Sequence, residues 1–277
     1  DRFAAMVREA EGNGDEAAAA EIRTQLARAQ GLQRRFDDAN ATLNAVEPLL
    51  KREPAVRVRV RYALERGRVF NSTGDAHRAK GWFTRAWMLA SASTERPGLE
   101  DLAVDAAHML AIAESANADD WNRKALELAE SSTNPDARRW RASLLNNMGW
   151  NLFAAGNTAA ALAHFERALA VRVEQGTTGK FRGPWLVARW CMAKAKRVLG
   201  QVKEALAEQQ QLAAEHAAAG SADGFVQEEI GECLLALSRG GEARAHFAKA
   251  HELLGSDPAF ADQERDRLAR LARLPGS

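Results

Sequence analysis

Small and bulky apolar positions recur along this chain in one order. Gly149 is followed after twelve positions by Ala161, after four more by Phe165 and after three more by Ala168. Gly67, Ala79, Phe83 and Ala86 keep that spacing, as do Gly231, Ala243, Phe247 and Ala250. Weaker copies run through Ala27/Ala39/Leu43/Val46, Ala107/Ala118/Trp121/Ala125 and Ala193/Ala205/Gln209/Leu212. The third copy in chain order has eleven positions between Ala107 and Ala118, and the fifth has Gln209 where the others are bulky and apolar. Alanine is abundant, β-branched runs are few, and no stretch alternates apolar and polar residues as a half-buried strand does. The pattern predicts an all-α chain of six copies of one helical unit. Such self-similarity marks a solenoid, which is usually a surface for holding something.

The clearest copy, Leu145-Asn146-Asn147-Met148-Gly149-Trp150 through Phe153, Gly156 and Ala168, resembles the tetratricopeptide repeat family. The resemblance covers roughly residues 20–256. It implies antiparallel helix pairs, A then B, stacked into a right-handed superhelical solenoid. Gly149 and Ala161 are then expected where A and B cross, a place where an added side chain overpacks at a cost of about 1–3 kcal/mol. Phe165 and Ala168 are expected on the face of helix B toward the neighbouring repeat. Gly156-Asn157 is expected between the helices, where glycine tolerates the left-handed turn that ends helix A. Successive anchors Ala27, Gly67, Ala107, Gly149, Ala193 and Gly231 lie 40, 40, 42, 44 and 38 residues apart by subtraction. The usual repeat is about 34 residues. The surplus predicts longer helices and longer loops, with 91–98 and 176–184 as the expanded loops because Gly, Pro, Ser and Thr concentrate there.

One solenoid is expected over residues 1–277, with six repeats at 20–258. Residues 1–19 form an N-terminal cap or truncated repeat, in which Phe3-Ala4-Ala5-Met6-Val7 is amphipathic. Residues 259–277 form a polar capping helix and tail, with Leu268, Leu271 and Leu274 at helical spacing. The start at Asp1 rather than Met is read as trimming, processing or an artificial boundary.

In the family the A helices line the concave face. Positions three before, one after and four after each anchor share one helical stripe. The second repeat contributes Leu64, Arg68 and Asn71, and the third Val104, His108 and Ala111 with Asp105 beside them. The fourth contributes Asn146, Trp150 and Phe153 with Asn147 beside them, the fifth Trp190, Lys194 and Arg197, and the sixth Glu228, Glu232 and Leu235. Trp and Arg dominate binding hot spots, amides suit a peptide backbone, and Lys194 with Arg197 suits a carboxylate or phosphate. Two structural readings compete with these. Trp150 and Trp190 can pack between A helices, and Lys194 and Arg197 can pair with Glu228 and Glu232. The family's carboxylate-clamp set of Lys, Asn, Asn, Lys and Arg is not found; Asn147, Lys194 and Arg197 are only a partial echo.

Net charge is +1, yet residues 51–90 carry +7 and residues 99–136 carry −7. Residues 180–203 hold seven Lys/Arg and no acid, and residues 204–238 hold seven acids and no Lys/Arg. Such blocks either attract each other or build a groove with charged ends. The balance argues against nucleic acid as a partner. No run of about 18 apolar residues supports a membrane span. Two cysteines, Cys191 and Cys233, are too few for a metal-ligand set and are expected as separate buried thiols. The six histidines form no HExxH, and neither G-x-G-x-x-G nor a Walker sequence occurs. Asp105 can orient the His108 imidazole, but no nucleophile accompanies them. No catalytic residue, metal or cofactor is therefore expected. The expectation is a cytoplasmic scaffold that binds a protein or peptide in its groove, with an exposed end repeat open to homodimerisation. The alternative is a regulatory sensor array that changes curvature on binding a signalling peptide or small ligand.

Overall fold

The computed structural model describes residues 2–52, 55–92 and 98–273, and among these no strand occurs. They pack as two compact units, residues 1–144 and 145–277. The first unit holds α1 (Arg2–Gly12), α2 (Glu16–Leu32), α3 (Phe36–Asn44), α4 (Glu47–Leu50), α5 (Val56–Ser72), α6 (Ala76–Ala92), α7 (Glu100–Ala113), α8 (Ala118–Ser131) and α9 (Pro135–Arg138). Helix α10 (Arg141–Ala154) contains the division between the units. The second unit continues with α11 (Thr158–Gln175), α12 (Arg182–Val198), α13 (Val202–Ala218), α14 (Gly224–Ala236), α15 (Gly240–Gly255), α16 (Pro258–Gln263) and α17 (Arg265–Arg273). The six expected copies are the pairs α2/α3, α5/α6, α7/α8, α10/α11, α12/α13 and α14/α15.

Each pair turns in the same way, with one exception. The residue seven after the anchor is left-handed at Arg34 (φ 62°), Gly74 (φ 87°), Gly156 (φ 78°), Gly200 (φ 84°) and Ser238 (φ 60°). In each turn the next N–H reaches back to close the helix end, as Asn157 N does to Leu152 O at 2.9 Å. Asn157 then caps α11 by accepting from Ala160 N. The third pair, one residue shorter in spacing, replaces this turn with a 3-10 segment at Ser115–Asn117.

The anchors are close crossings. A Cβ on Gly149 would lie 2.5 Å from the Phe165 ring, and one on Gly231 would lie 2.7 Å from Phe247; Gly67 faces Phe83 in the same way. Phe83, Phe165 and Phe247 are fully buried. Phe165 therefore seats first on the A helix of its own pair. Its far side joins Cys191 and Ala195 of the next A helix, so the expected outward face is only half of its role.

Extra repeat length lies partly where the composition did not point. The short helices α4 and α9 are insertions between pairs. Of the expected loop at 91–98, Ser91 and Ala92 end α6, and 93–97 lie outside the described residues. Of the expected loop at 176–184, Arg182, Gly183 and Pro184 already belong to α12, because proline needs no N–H partner in a first turn. The expected N-terminal amphipathic segment is α1, packed on α2. The single capping helix expected near the end is two helices, α16 and α17, broken at Glu264. Leu271 of α17 is fully buried, and Leu274 lies outside the described residues.

Candidate partner-binding surface

The A helices meet by a rule that links their charges. The residue one after an anchor faces the residue two before the next anchor. Arg28 lies 3.8 Å from Glu65, Arg68 pairs with Asp105, and Lys194 pairs with Glu229. Arg197, one turn along α12, donates to the same Glu229 at 2.7 Å. Trp150 and Cys191 occupy the same rung between the fourth and fifth pairs and pack in one apolar cluster. Charge blocks of opposite sign thus neutralise each other on adjacent helices. Lys80 with Glu114, and Arg189 with Glu208 and Glu215, extend the same pairing.

In the first unit these helices enclose a cleft of ≈ 250 Å³. Its polar lining includes Arg28, Glu65, Arg68, Asn71, Asp105 and His108, and its apolar lining includes Leu32, Phe36, Met109 and Trp140. Arg68 is the hub, donating to both Glu65 and both oxygens of Asp105. Burial opposes its charge, but Asp105 and Glu65 outweigh that and raise its pKa further. Burial raises the Glu65 carboxyl above its ordinary range. Burial also lowers the His108 pKa, against the pull of Asp105 and assisted by Arg68, which favours the neutral imidazole. His108 packs on Trp140 with ring centroids 5.4 Å apart, and its buried Nδ1 has no hydrogen-bond partner among the described residues. Asp105 therefore serves Arg68, and the expected Asp105–His108 pairing is not made by hydrogen bond. Arg68, Asn71, Asp105 and His108 are brought together as the stripe predicts.

In the second unit Trp150 and Trp190 stack at 5.9 Å. Phe153 and Phe165 flank Trp150, and Phe225 then Phe260 continue from Trp190. Trp190 donates to Phe225 O at 3.2 Å, so the indoles pack between A helices while staying half-buried. Asn146 and Asn147 are also half-buried on α10. The alternative pairing of Lys194 and Arg197 with Glu228 and Glu232 is corrected in its partner: both cations serve Glu229, which is 1% exposed. Burial would raise the Glu229 pKa, but Arg197 and Lys194 outweigh it and hold the carboxyl below its ordinary range. Glu228 instead accepts from Arg267 at 3.0 Å and Arg270 at 3.2 Å, and Glu232 pairs with Arg270. Helix α17 thus covers the acidic side of α14.

Arg28, Glu65, Trp140 and Glu229 were missed by the stripe. For Arg28 the signal was present, since it is the residue after Ala27. Glu65 and Glu229 share the position two before the anchor with Asp105. Cys191 and Cys233 are buried and unpaired, and burial pushes both thiols up to about 12. Among the described residues no group of three or more His, Cys, Asp or Glu is placed to hold a metal, and no helix is long and apolar enough to cross a membrane.

The tetratricopeptide repeat family profile matches residues 101–172. No curated protein matches the chain in sequence. Several solved structures share its fold at low identity. BtubC (BKLC) from P. vanneervenii is 17% identical with a TM-score of 0.64, over 80% of this chain and 91% of that one. Aspartyl phosphate phosphatase F from Bacillus subtilis is 16% identical with a TM-score of 0.62, over 94% of this chain and 68% of that one. NprR in complex with its cognate peptide NprX is 13% identical with a TM-score of 0.58, over 96% of this chain and 77% of that one.

Proposed function

From the premise that this chain belongs to the tetratricopeptide repeat family, we propose that it is a non-catalytic interaction scaffold holding a peptide or a segment of a partner protein on its A-helix faces. The supporting observation is the cleft of the first unit, where three consecutive A helices, α2, α5 and α7, contribute a polar floor and Phe36 of α3 and Trp140 contribute aromatic rings. The fold likeness to a protein solved with its cognate peptide supports the same reading. Contacts are assigned to Asn71, His108, Asn146, Asn147, Trp150, Phe153 and the exposed edge of Trp190. Arg68, Asp105, Lys194, Arg197, Glu228 and Glu232 are assigned to holding the helices in register, because each is already ion-paired inside the chain. Nucleic acid is disfavoured for the same reason: the basic blocks are neutralised by their neighbours.

Selection of random peptides against the folded chain tests this reading. Enriched peptides are expected to lose at least about tenfold in affinity on Asn71→Ala or Trp150→Ala. Such a loss is about 1.4 kcal/mol, within the range for a hot-spot contact. Failure to enrich any peptide, or affinities untouched by substitutions in both units, would sink it.

A further inference from the structure

The fifth pair breaks a rule that the other pairs keep. The fully buried position that is Phe83, Phe165 and Phe247 in three pairs is Gln209 here. Its Nε2 donates to Trp190 O at 3.5 Å, and its buried Oε1 has no hydrogen-bond partner among the described residues. A half-satisfied amide in an apolar core lowers stability, and proteins keep such local violations where function requires them. Against the same pair lies a cavity of ≈ 380 Å³. Leu186, Val187 and Trp190 of α12, Leu212 of α13, and Phe225 and Val226 of α14 form its apolar lining. Both helices of one pair and the start of the next therefore wall it, all within the second unit. Val187 is 54% exposed although it lines the cavity, so apolar surface faces solvent there. Of the residues assigned to the partner surface, only Trp190 borders it.

We propose that this cavity binds a small, uncharged, largely apolar molecule. The site goes beyond the peptide-binding reading and does not rest on it. Size favours a whole small molecule, because ≈ 380 Å³ falls within the range of about 300–1,000 Å³ that encloses such ligands. The lining demands an apolar body. The Trp190 and Phe225 rings stand 6.0 Å apart at 68°, and four branched aliphatic side chains complete the wall. Ligand surface laid on them leaves water. Charge is excluded because the polar groups nearby are already used by the fold. Trp190 Nε1 donates to Phe225 O at 3.2 Å, and Asp223 accepts from Phe225 N at 2.8 Å and Val226 N at 3.2 Å. On α12, Arg189 serves Glu208 and Glu215, and Lys194 serves Glu229. A charged ligand would lose its hydration without gaining a partner, and an anion would also meet the Asp223 carboxylate. His216 borders the cavity too, with Nδ1 3.3 Å from Ser221 Oγ. Its ring suits one ligand hydroxyl, which can donate or accept and so fits either tautomer.

Three probes that share one apolar body and differ in charge test the proposal: 2-naphthylmethanol, 2-naphthoate and 2-naphthylmethylammonium. Each is titrated into the full chain and followed by the indole N–H resonance of Trp190, assigned with Trp190→Phe. The alcohol is expected to bind at least about tenfold more tightly than either ion. In the unaltered chain, its ring protons are expected to show nuclear Overhauser effects to methyl groups of Leu186, Leu212 and Val226. Val187→Glu places a charge on the lining at an exposed position. It is expected to weaken the alcohol at least about tenfold while the melting temperature holds. Leu32→Glu, in the cleft of the first unit, is expected to leave the affinity unchanged. The proposal is overturned if no probe binds, or if either ion binds as tightly as the alcohol. Overhauser contacts only to methyl groups outside this lining, or an affinity untouched by Val187→Glu, overturn it equally. Peptide selection is read separately, so the failure of either reading leaves the other standing.

Discussion

At the scale of single residues, the turn between A and B helices makes the clearest demand. Five pairs place a left-handed residue seven after the anchor, and three of them use glycine there. Arg34 and Ser238 adopt that conformation with a Cβ, which costs roughly 1–2 kcal/mol, part of which glycine returns as unfolded-chain entropy. Ser238→Gly is therefore expected to stabilise the chain by about 0.5–1 kcal/mol, seen as a higher denaturant midpoint at unchanged slope. A lower midpoint would show that the Ser238 side chain contributes more than its backbone costs. This position was legible at Gly156 because glycine there has one physical reason. It was not legible at Ser238, because nothing in a serine announces positive φ. The crossings at Gly67, Gly149 and Gly231 were legible for the same reason as Gly156: a residue without Cβ at fixed distance from an aromatic implies close approach.

At the scale of elements, neighbouring A helices are joined by buried charge. Glu229 of α14 holds Lys194 and Arg197 of α12, and its folded pKa is depressed. An acid depressed in this way contributes stability that is fully present above its unfolded pKa of about 4.3 and is lost as pH falls through the folded value. Glu229→Gln is expected to cost about 3 kcal/mol at pH 7, because two partly buried cations lose their partner. The gap between wild type and variant is expected to narrow as pH drops from about 5 toward 3. Thermal melts across that range check it, and a gap independent of pH would show that shape rather than charge matters at this site. Alternating charge blocks were visible in the sequence, and their mutual pairing was one of two open readings. Glu229 itself was hidden among Glu228, Glu229 and Glu232. Three acids within one helical turn and a half point in different directions, and only the packing of α12 and α17 decides which cation each one meets.

At the scale of the whole molecule, residues 1–144 and 145–277 form two compact units where one solenoid was expected, and within each unit the helix pairs pack on their sequence neighbours as in a repeat array. Stability in such an array is a sum of local terms. Gly67→Ala would press a methyl group into the Phe83 ring and is expected to cost about 1–3 kcal/mol. Hydrogen exchange is expected to quicken first in α5, α6 and α7, and later or not at all in α14 and α15. Uniform quickening along the chain would mean that the repeats unfold as one cooperative body.

What the sequence determined alone is whatever depends on spacing within one pair: the all-α class, the repeated helix pairs, the close crossing at Gly149 and its copies, and the turn at Gly156. Those follow from the helical period and from steric facts local to a few turns. What only the tertiary structure decided is whatever depends on the gap between pairs. Helices α4 and α9, the break between α16 and α17, and the assignment of Glu228 and Glu232 to Arg267 and Arg270 belong there. A side chain's partner across that gap is set by the angle and register of two helices some 35 to 40 residues apart in sequence, as with Lys194 and Glu229 at 35 and Arg267 and Glu228 at 39. No local pattern encodes that register; it emerges when the buried faces of successive pairs close against one another.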